Sequence, residues 1–173
     1  MKKLLGFSIF LVFVLIASLT AEAKVTLPAI FSDNMVFQQN TQVNVWGKAA
    51  PGEKVTVKAS WLDKVVTAKA AANGKWTVKL KTPKATTNQS VTVNGENEIT
   101  INNVLIGEVW LCTGQSNMEF PASRHPDVKW NTGMLNEAEE LKDADYPEIR
   151  LFHVKHQLAH EGELDDCVGE LLV

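Results

Sequence analysis

The chain has few of the residues that stabilise disulfide-rich domains or that bind nucleic acid. Two cysteines among 173 residues exclude a disulfide framework. Acidic residues outnumber basic ones, 20 to 17, which argues against the basic face that nucleic-acid binding requires. After position 23 no apolar run is long enough to span a bilayer. These absences favour a soluble globular protein without a nucleic-acid partner.

The first 23 residues are typical of a secretory signal peptide. Lys2 and Lys3 precede an apolar run from Leu4 to Leu19, and Ala21-Glu22-Ala23 supplies a small-residue cleavage site. Because the run is short for a membrane span, we favour cleavage over an anchor. The leader contains two of the basic residues and one of the acidic residues, so the remainder holds 15 and 19, a formal charge of −4. We therefore expect an exported protein, periplasmic or secreted, without a membrane partner after cleavage.

The two cysteines, Cys112 and Cys167, form one possible pair, and an exported protein can oxidise it. Cys112 lies in an apolar stretch, where a free cysteine often acts as a small buried hydrophobe. We therefore expect two unbridged thiols.

Residues 24–103 show short alternating segments that are typical of β-strands. Val43-Asn44-Val45-Trp46 and Trp76-Thr77-Val78-Lys79-Leu80 are two of about six such segments. Asn73-Gly74 and Asn94-Gly95 lie between β-type segments and predict hairpins, because both residue types accept positive φ. The pattern predicts an antiparallel β-sandwich, jelly-roll-like, over residues 24–103.

Three tryptophans in this part, Trp46, Trp61 and Trp76, have two interpretations. They could form a platform on which a sugar stacks. We favour core or edge positions, because large aromatic side chains supply much of the buried area of a sandwich.

The pattern changes at about residue 104. Val104 to Cys112 is almost continuously apolar, and its second half is typical of a strand buried on both faces, as in parallel sheets. A polar loop follows, then a short amphipathic helix around Ala138 and Leu141, then a strand at residues 149–154. Strand, loop, helix and strand predict the start of an α/β domain over residues 104–173.

A serine stands just past the apolar strand, in Gly114-Gln115-Ser116-Asn117. The carboxyl end of a buried parallel strand faces the usual ligand crevice. Gly114 would allow a sharp turn and close backbone approach, and the Ser116 hydroxyl could attack a carbonyl while its backbone N–H holds the oxyanion. The alternative is a polar turn, because serine and asparagine are common in turns. Met118 replaces the second glycine of a nucleophile elbow, so the spacing alone leaves both readings open.

Three segments resemble bacterial sialate O-acetylesterases of the SGNH hydrolase superfamily. "GEVWLCTGQSNMEFP" is similar to that family's first serine block, "LPAIFSDNMVFQQNTQVNVWGKAAPGEKVTV" to the start of its β-domain, and "DYPEIRLFHV" to the segment that follows the serine block. The resemblance implies an SGNH-type, flavodoxin-like α/β domain after the β-sandwich. It also implies that Ser116 is the catalytic nucleophile and oxyanion N–H donor, with Gly114, Gln115 and Asn117 shaping the site. The implied substrate is an O-acetylated sugar, sialic acid or another glycan, and no cofactor is implied.

The same resemblance identifies partners that this sequence lacks. The family places an oxyanion glycine and asparagine, and then an Asp-x-x-His, in later blocks. No aspartate here has a histidine three residues on, and none of the histidines, at 125, 153, 156 and 160, matches the catalytic position. Because a hydroxyl without a base is a weak nucleophile, we expect a truncated or interrupted esterase that is inactive alone.

Two further functions stay open. The chain could be a non-catalytic β-sandwich binding or interaction module with a relic serine block, or a transferase that resolves the same acyl-serine with a sugar hydroxyl. His156 and His160 have i, i+4 spacing, but without H-E-x-x-H we expect no metal site. Glu137, Glu139 and Glu140 are interpreted as a solvated helix face, and Asp165-Asp166 as an acidic pair with no assigned role.

Overall fold

The computed structural model describes residues 24–118, 120–124, 127, 133–156, 158, 162, 164 and 166–172. The predicted signal peptide, His125, His160 and Asp165 lie outside these residues. The described strands are β1 (Val36–Gln38), β2 (Gln42–Lys48), β3 (Lys54–Ala59), β4 (Val66–Lys69), β5 (Lys75–Lys81), β6 (Thr86–Asn94), β7 (Glu98–Gly107), β8 (Leu151–Val154) and β9 (Gly169–Leu172). A single turn of 3-10 helix at Ser116–Met118 and one α-helix, α1 (Glu137–Asp143), complete the described elements.

The strands form one large sheet and two small ones. The large sheet has the order β1-β7-β6-β3-β4. β1 runs parallel to β7, and the other pairs are antiparallel. β2 pairs with β5, and β8 with β9, both antiparallel. The described chain is mostly β. Strands were predicted over residues 24–103, but the large sheet is mixed rather than purely antiparallel, because the edge strand β1 runs parallel to β7.

The large sheet and the β2–β5 sheet share one hydrophobic core. On β5 the side chains alternate strictly, so Trp76, Val78 and Leu80 are buried while the intervening residues are exposed. Val55 and Val57 of β3 belong to the same cluster. Complete burial of an aliphatic side chain contributes about 1.5–3 kcal/mol, so this alternation stabilises the packing of the two sheets against each other.

The two Asn-Gly sequences have different roles. Asn94-Gly95 joins the antiparallel neighbours β6 and β7, which confirms that hairpin. Asn73-Gly74 joins β4 to β5, but β4 pairs with β3 and β5 with β2, so the predicted hairpin is wrong. Gly74 does take the positive φ of a tight turn, 77°. The local turn chemistry was correctly predicted there, but the turn connects two sheets.

The tryptophans divide between core and surface. Trp76 is buried, and Trp61 is half-buried, with its indole N–H donating to the Lys81 carbonyl at 2.9 Å. Trp46 keeps 38% of its surface exposed. Core or edge positions are therefore confirmed for Trp76 and Trp61, whereas Trp46 faces solvent in part.

The segment after β7 contradicts one prediction. Val109, Trp110 and Leu111 are 52%, 83% and 91% exposed, and residues 108–114 have no regular secondary structure. The predicted strand buried on both faces is wrong for this segment, because no described strand pairs with it. Cys112 is exposed rather than buried, and both cysteines are free thiols, as predicted.

The C-terminal elements exist but do not form an α/β layer within the described residues. α1 confirms the predicted short helix, although none of its side chains is buried. β8 confirms the predicted strand, but its partner is the antiparallel β9. The proposed division at residue 103 stays a prediction; β7 runs across it to Gly107. In the described part, no helix has the length and apolar character to cross a membrane.

Candidate active site

Ser116 begins a single turn of 3-10 helix that follows the extended segment after β7. The Met118 N–H donates to the Gln115 carbonyl at 2.9 Å and closes this turn. Gln115, Ser116 and Asn117 are all exposed. The first N–H groups of a helical turn have no partner within the turn, and no described residue accepts a hydrogen bond from the Ser116 N–H. The residue therefore presents both a hydroxyl and a free N–H donor to solvent.

Gly114 leaves room for a neighbouring side chain and does not adopt a left-handed backbone conformation. It is absent from the glycines with positive φ. A Cβ at this position would lie 2.9 Å from Cγ of Met118, too close for an undisturbed contact. Gly114 therefore lets the Met118 side chain lie against the backbone that precedes the serine. Its site-shaping role stays a prediction.

The beginning of the serine segment is held by two glutamines at the end of β1. Gln38 donates from Nε2 to Glu108 Oε2 at 3.0 Å, and Gln39 donates from Nε2 to Glu108 Oε1 at 2.7 Å. Gln38 also accepts the Val109 N–H at 2.8 Å, and the Gln39 N–H donates to the Gly107 carbonyl at 2.8 Å. We call this group, Gln38, Gln39, Glu108 and Val109, the glutamine clamp.

The clamp sets the ionisation of Glu108. The hydrogen bond from Gln38, followed by that from Gln39, lowers the pKa of the Glu108 carboxyl, because both donors favour its charged form. Gln39 is itself oriented, since its Oε1 accepts the Ala85 N–H at 2.8 Å. The chain therefore leaves β7 in a direction fixed by the end of β1.

A second contact anchors the region before β8 to the β-domain. Arg150 donates from Nη1 to the Asn34 carbonyl at 2.9 Å and from Nε to the Pro147 carbonyl at 3.2 Å. Asn34 and Asn103 both have left-handed backbones, with φ of 69° and 51°, and the Asn103 side-chain amide donates to Asn34 Oδ1 at 2.7 Å. The left-handed turn at these two asparagines therefore places the Asn34 backbone carbonyl against the Arg150 guanidinium.

Sequence reasoning singled out neither contact. The available signals were a Gln-Gln pair at the end of an apolar strand and a lone glutamate, Glu108, inside an apolar run. Neither has a spacing that identifies its partner, because β1 and β7 are about 70 residues apart in the chain and meet only through parallel pairing.

The described part of the chain gives the serine no hydrogen-bonded base. The Ser116 hydroxyl makes no hydrogen bond in the part of the chain that the structure describes. His153 is exposed on β8, and His156 is exposed just beyond it. Among the described residues, no group of three histidine, cysteine or acidic side chains is arranged to hold a metal ion. Within the described residues, the Ser116 hydroxyl is thus accessible and has no hydrogen-bonded partner that could activate it.

Comparison with known proteins gives a distant but extended similarity. No protein-family model matches the chain. The chain is 31% identical over 150 residues to the sialate O-acetylesterase of Mus musculus and 28% identical over 149 residues to that of Homo sapiens. Each match covers 80% of this chain, but 26% and 27% of the respective relative. The chain thus spans about a quarter of the length of the curated relatives that it matches.

A solved structure shows the same relationship. The chain is similar to a carbohydrate acetylesterase from Xanthomonas citri, with a TM-score of 0.73 and 29% identity, over 86% of this chain and 32% of that chain. The chain is therefore related to carbohydrate acetylesterases over part of their length. Ser116 lies more than a fifth of the chain from either end, so a match that covers four-fifths of the chain includes it wherever the match begins.

Proposed function

We propose that this chain carries the β-domain and the nucleophile of a carbohydrate O-acetylesterase, and that Ser116 attacks the acetyl ester of a sugar. The observation that carries the proposal is the exposed Ser116, with hydroxyl and N–H both unengaged, within a span related to sialate O-acetylesterases. The names of those relatives make an O-acetylated sialic acid the first substrate to test, with other acetylated glycans next.

The chemistry follows from the two free groups of Ser116. The Oγ would attack the acetyl carbonyl, and the carbonyl oxygen would gain negative charge that the Ser116 N–H stabilises. The sugar hydroxyl would leave with a proton, and water would release acetate from the acetyl-serine. Both proton transfers need a general base, and the described residues place none against Ser116. We therefore propose that the chain alone is inactive and that a complete site needs a base from a further segment.

The proposal is tested by supplying the segments that the Ser116 site lacks. This chain would be joined to the part of the Xanthomonas citri carbohydrate acetylesterase that it does not cover, and acetate release from an O-acetylated sialic acid would be measured. We expect release that is lost in Ser116→Ala and retained in Ser123→Ala, a second serine outside the 3-10 turn. A chimera that is folded by circular dichroism and elutes as a defined species, but releases no acetate, contradicts the proposal.

The alternative is a non-catalytic binding module, and the lack of a base beside Ser116 among the described residues favours it. That alternative predicts a folded chimera in which Ser116→Ala changes nothing. It also predicts sugar binding by the chain itself, a property that does not depend on the serine.

A further inference from the structure

One short stretch of the β-domain contacts the chain both before and after Ser116. This stretch, residues 34–39, contains β1, and we call it the β1 segment. Near its end, Gln38 accepts the Val109 N–H at 2.8 Å, seven residues before the serine. At its start, the backbone carbonyl of residue 34 accepts a hydrogen bond from Arg150 Nη1 at 2.9 Å. The two contacts described above as separate therefore share one support.

The β1 segment is fixed to the core of the β-domain. Met35 and Phe37 are 4% and 5% exposed, and β1 pairs with β7 along its whole length. At the start of the segment, the Asn34 N–H donates to the Asn102 carbonyl at 3.0 Å. Chain with buried side chains and paired backbone opens only at a large part of the global unfolding free energy. A group that is bonded to the β1 segment is therefore held in place relative to the core.

The contact after the serine reaches Ser116 through α1. The Met134 N–H donates to the Ala122 carbonyl at 2.8 Å, and Glu137, the first residue of α1, accepts the Arg124 N–H at 3.1 Å. Ala122 follows the serine by six residues. The chain after the serine is thus bonded to the start of α1, and α1 ends seven residues before the arginine that contacts the β1 segment.

The stretches between Ser116 and these contacts are short. An extended chain spans at most about 3.6 Å per residue, so six or seven residues reach about 20–25 Å. With one end fixed, the serine could move anywhere within that radius, whereas two fixed ends restrict it to the region that both stretches reach. Because Ser116 is exposed, packing in the core does not fix its position. The two fixed ends therefore set where the serine lies.

We propose that the β1 segment positions the nucleophile by holding the chain on both sides of Ser116, and that Gln38 and Arg150 are positioning residues. Gln38 holds the chain that leads to the serine. Arg150 holds α1, and through α1 the chain that follows the serine. The inference rests on the proposed esterase function for the role of the serine, whereas the holding of both sides is a property of this chain alone.

Distances between two spin labels test this holding in the full chain. One label would be attached at Ser116→Cys and the other at Thr77→Cys, on an exposed position of β5. The two native thiols would be removed by Cys112→Ser and Cys167→Ser. Pulsed electron paramagnetic resonance then gives the distribution of distances between the serine position and the β-domain.

Loss of either contact should release the serine position. Gln38→Ala and Arg150→Ala should each broaden the distance distribution at least about twofold, because each leaves one side of the serine unheld. Gln42→Ala and Lys155→Ala are the matched controls, since both residues are exposed at the ends of other strands, and they should leave the distribution unchanged. An unchanged distribution in both Gln38→Ala and Arg150→Ala overturns the proposal. If either alanine variant fails to fold by circular dichroism, methionine at that position keeps the side-chain length without the hydrogen bonds and decides the matter.

The esterase chimera distinguishes positioning from a purely structural role. Gln38→Ala and Arg150→Ala should lower kcat for acetate release by about tenfold to a hundredfold, as expected for a misplaced catalytic group, with KM changed less than about twofold. Arg150→Lys keeps a donor for the Asn34 carbonyl and should restore part of kcat. Variants that lose stability but keep the parent kcat when folded overturn the positioning role. A folded parent chimera without acetate release contradicts the esterase function instead, and the spin-label distances then still decide whether the β1 segment holds both sides of Ser116.

Discussion

Gln38 and Glu108 are joined by a 3.0 Å hydrogen bond from the glutamine amide to the carboxylate, and the same glutamine accepts the Val109 N–H at 2.8 Å. One side chain at the end of β1 thus binds two consecutive residues after β7. The parallel pairing of β1 with β7 ends at Gln38 and Gly107. Beyond that point, the side chains of the clamp hold the two segments together in place of backbone pairing. It connects the β-domain to the segment that leads to Ser116.

The first prediction concerns this clamp. Gln38→Ala removes a donor to Glu108 and the acceptor of the Val109 N–H, so amide hydrogen exchange at Val109 should accelerate about tenfold or more. Gln42→Ala is the matched control, because Gln42 is an exposed residue at the start of β2. Exchange measured by NMR or mass spectrometry that is equal in the two variants would show that the clamp does not hold the segment.

The second prediction is a pH dependence with a defined sign. The folded-state pKa of Glu108 is lowered, chiefly by Gln38. A lowered pKa stabilises the folded protein above the unfolded value of about 4.3, and this contribution is lost as the pH falls through the folded value. Glu108→Gln should therefore be less stable than the parent at neutral pH, and the two should converge in acid. Denaturant midpoints compared across the acid range check this, and a difference that grows in acid would contradict it.

The third prediction compares two strand glycines that differ in the space around the missing Cβ. A Cβ on Gly47 would collide with the Thr26 carbonyl oxygen and lie 2.9 Å from the Trp76 ring, whereas a Cβ on Gly107 would meet nothing within 4 Å. Neither has positive φ. Gly47→Ala should therefore destabilise the fold by about 1–3 kcal/mol, and Gly107→Ala by much less. Chemical unfolding of both variants provides the measurement, and equal losses would argue against the tight contact at Gly47.

The sequence predicted the features that depend on neighbouring residues. The alternation on β5 identified Trp76, Val78 and Leu80 as one face, and the core uses that face. The sheet to which a strand belongs depends on distant partners, which is why Asn73-Gly74 predicted a hairpin that does not form. The apolar segment Val109–Leu111 is exposed for the same reason: its composition is that of a buried strand, but burial requires a covering surface that the described chain does not provide.

The candidate site was predictable only in part. Ser116 was identified from its setting and its family resemblance, and it is accessible as the chemistry requires, although its role as nucleophile stays a prediction. The glutamine clamp and the Arg150 anchor depend on contacts between residues about 70 and 116 positions apart. No local pattern encodes such pairs, because each side chain is unremarkable in its own segment.

The last prediction concerns catalysis by the chain as it stands. Ser116 presents its hydroxyl to solvent without a hydrogen-bonded base in the described residues, and a serine that lacks its base loses several orders of magnitude in rate. The full chain should therefore hydrolyse aryl acetates no faster than its Ser116→Ala variant, and both should match buffer.

In the completed chimera, a serine-directed phosphonate should label Ser116, as mapped by mass spectrometry, and Gln115→Ala or Asn117→Ala should reduce the rate less than Ser116→Ala does. Hydrolysis by the chain alone that disappears in Ser116→Ala would show that one of its own histidines serves as the base, and a label on Ser123 with full activity in Ser116→Ala would identify a different nucleophile.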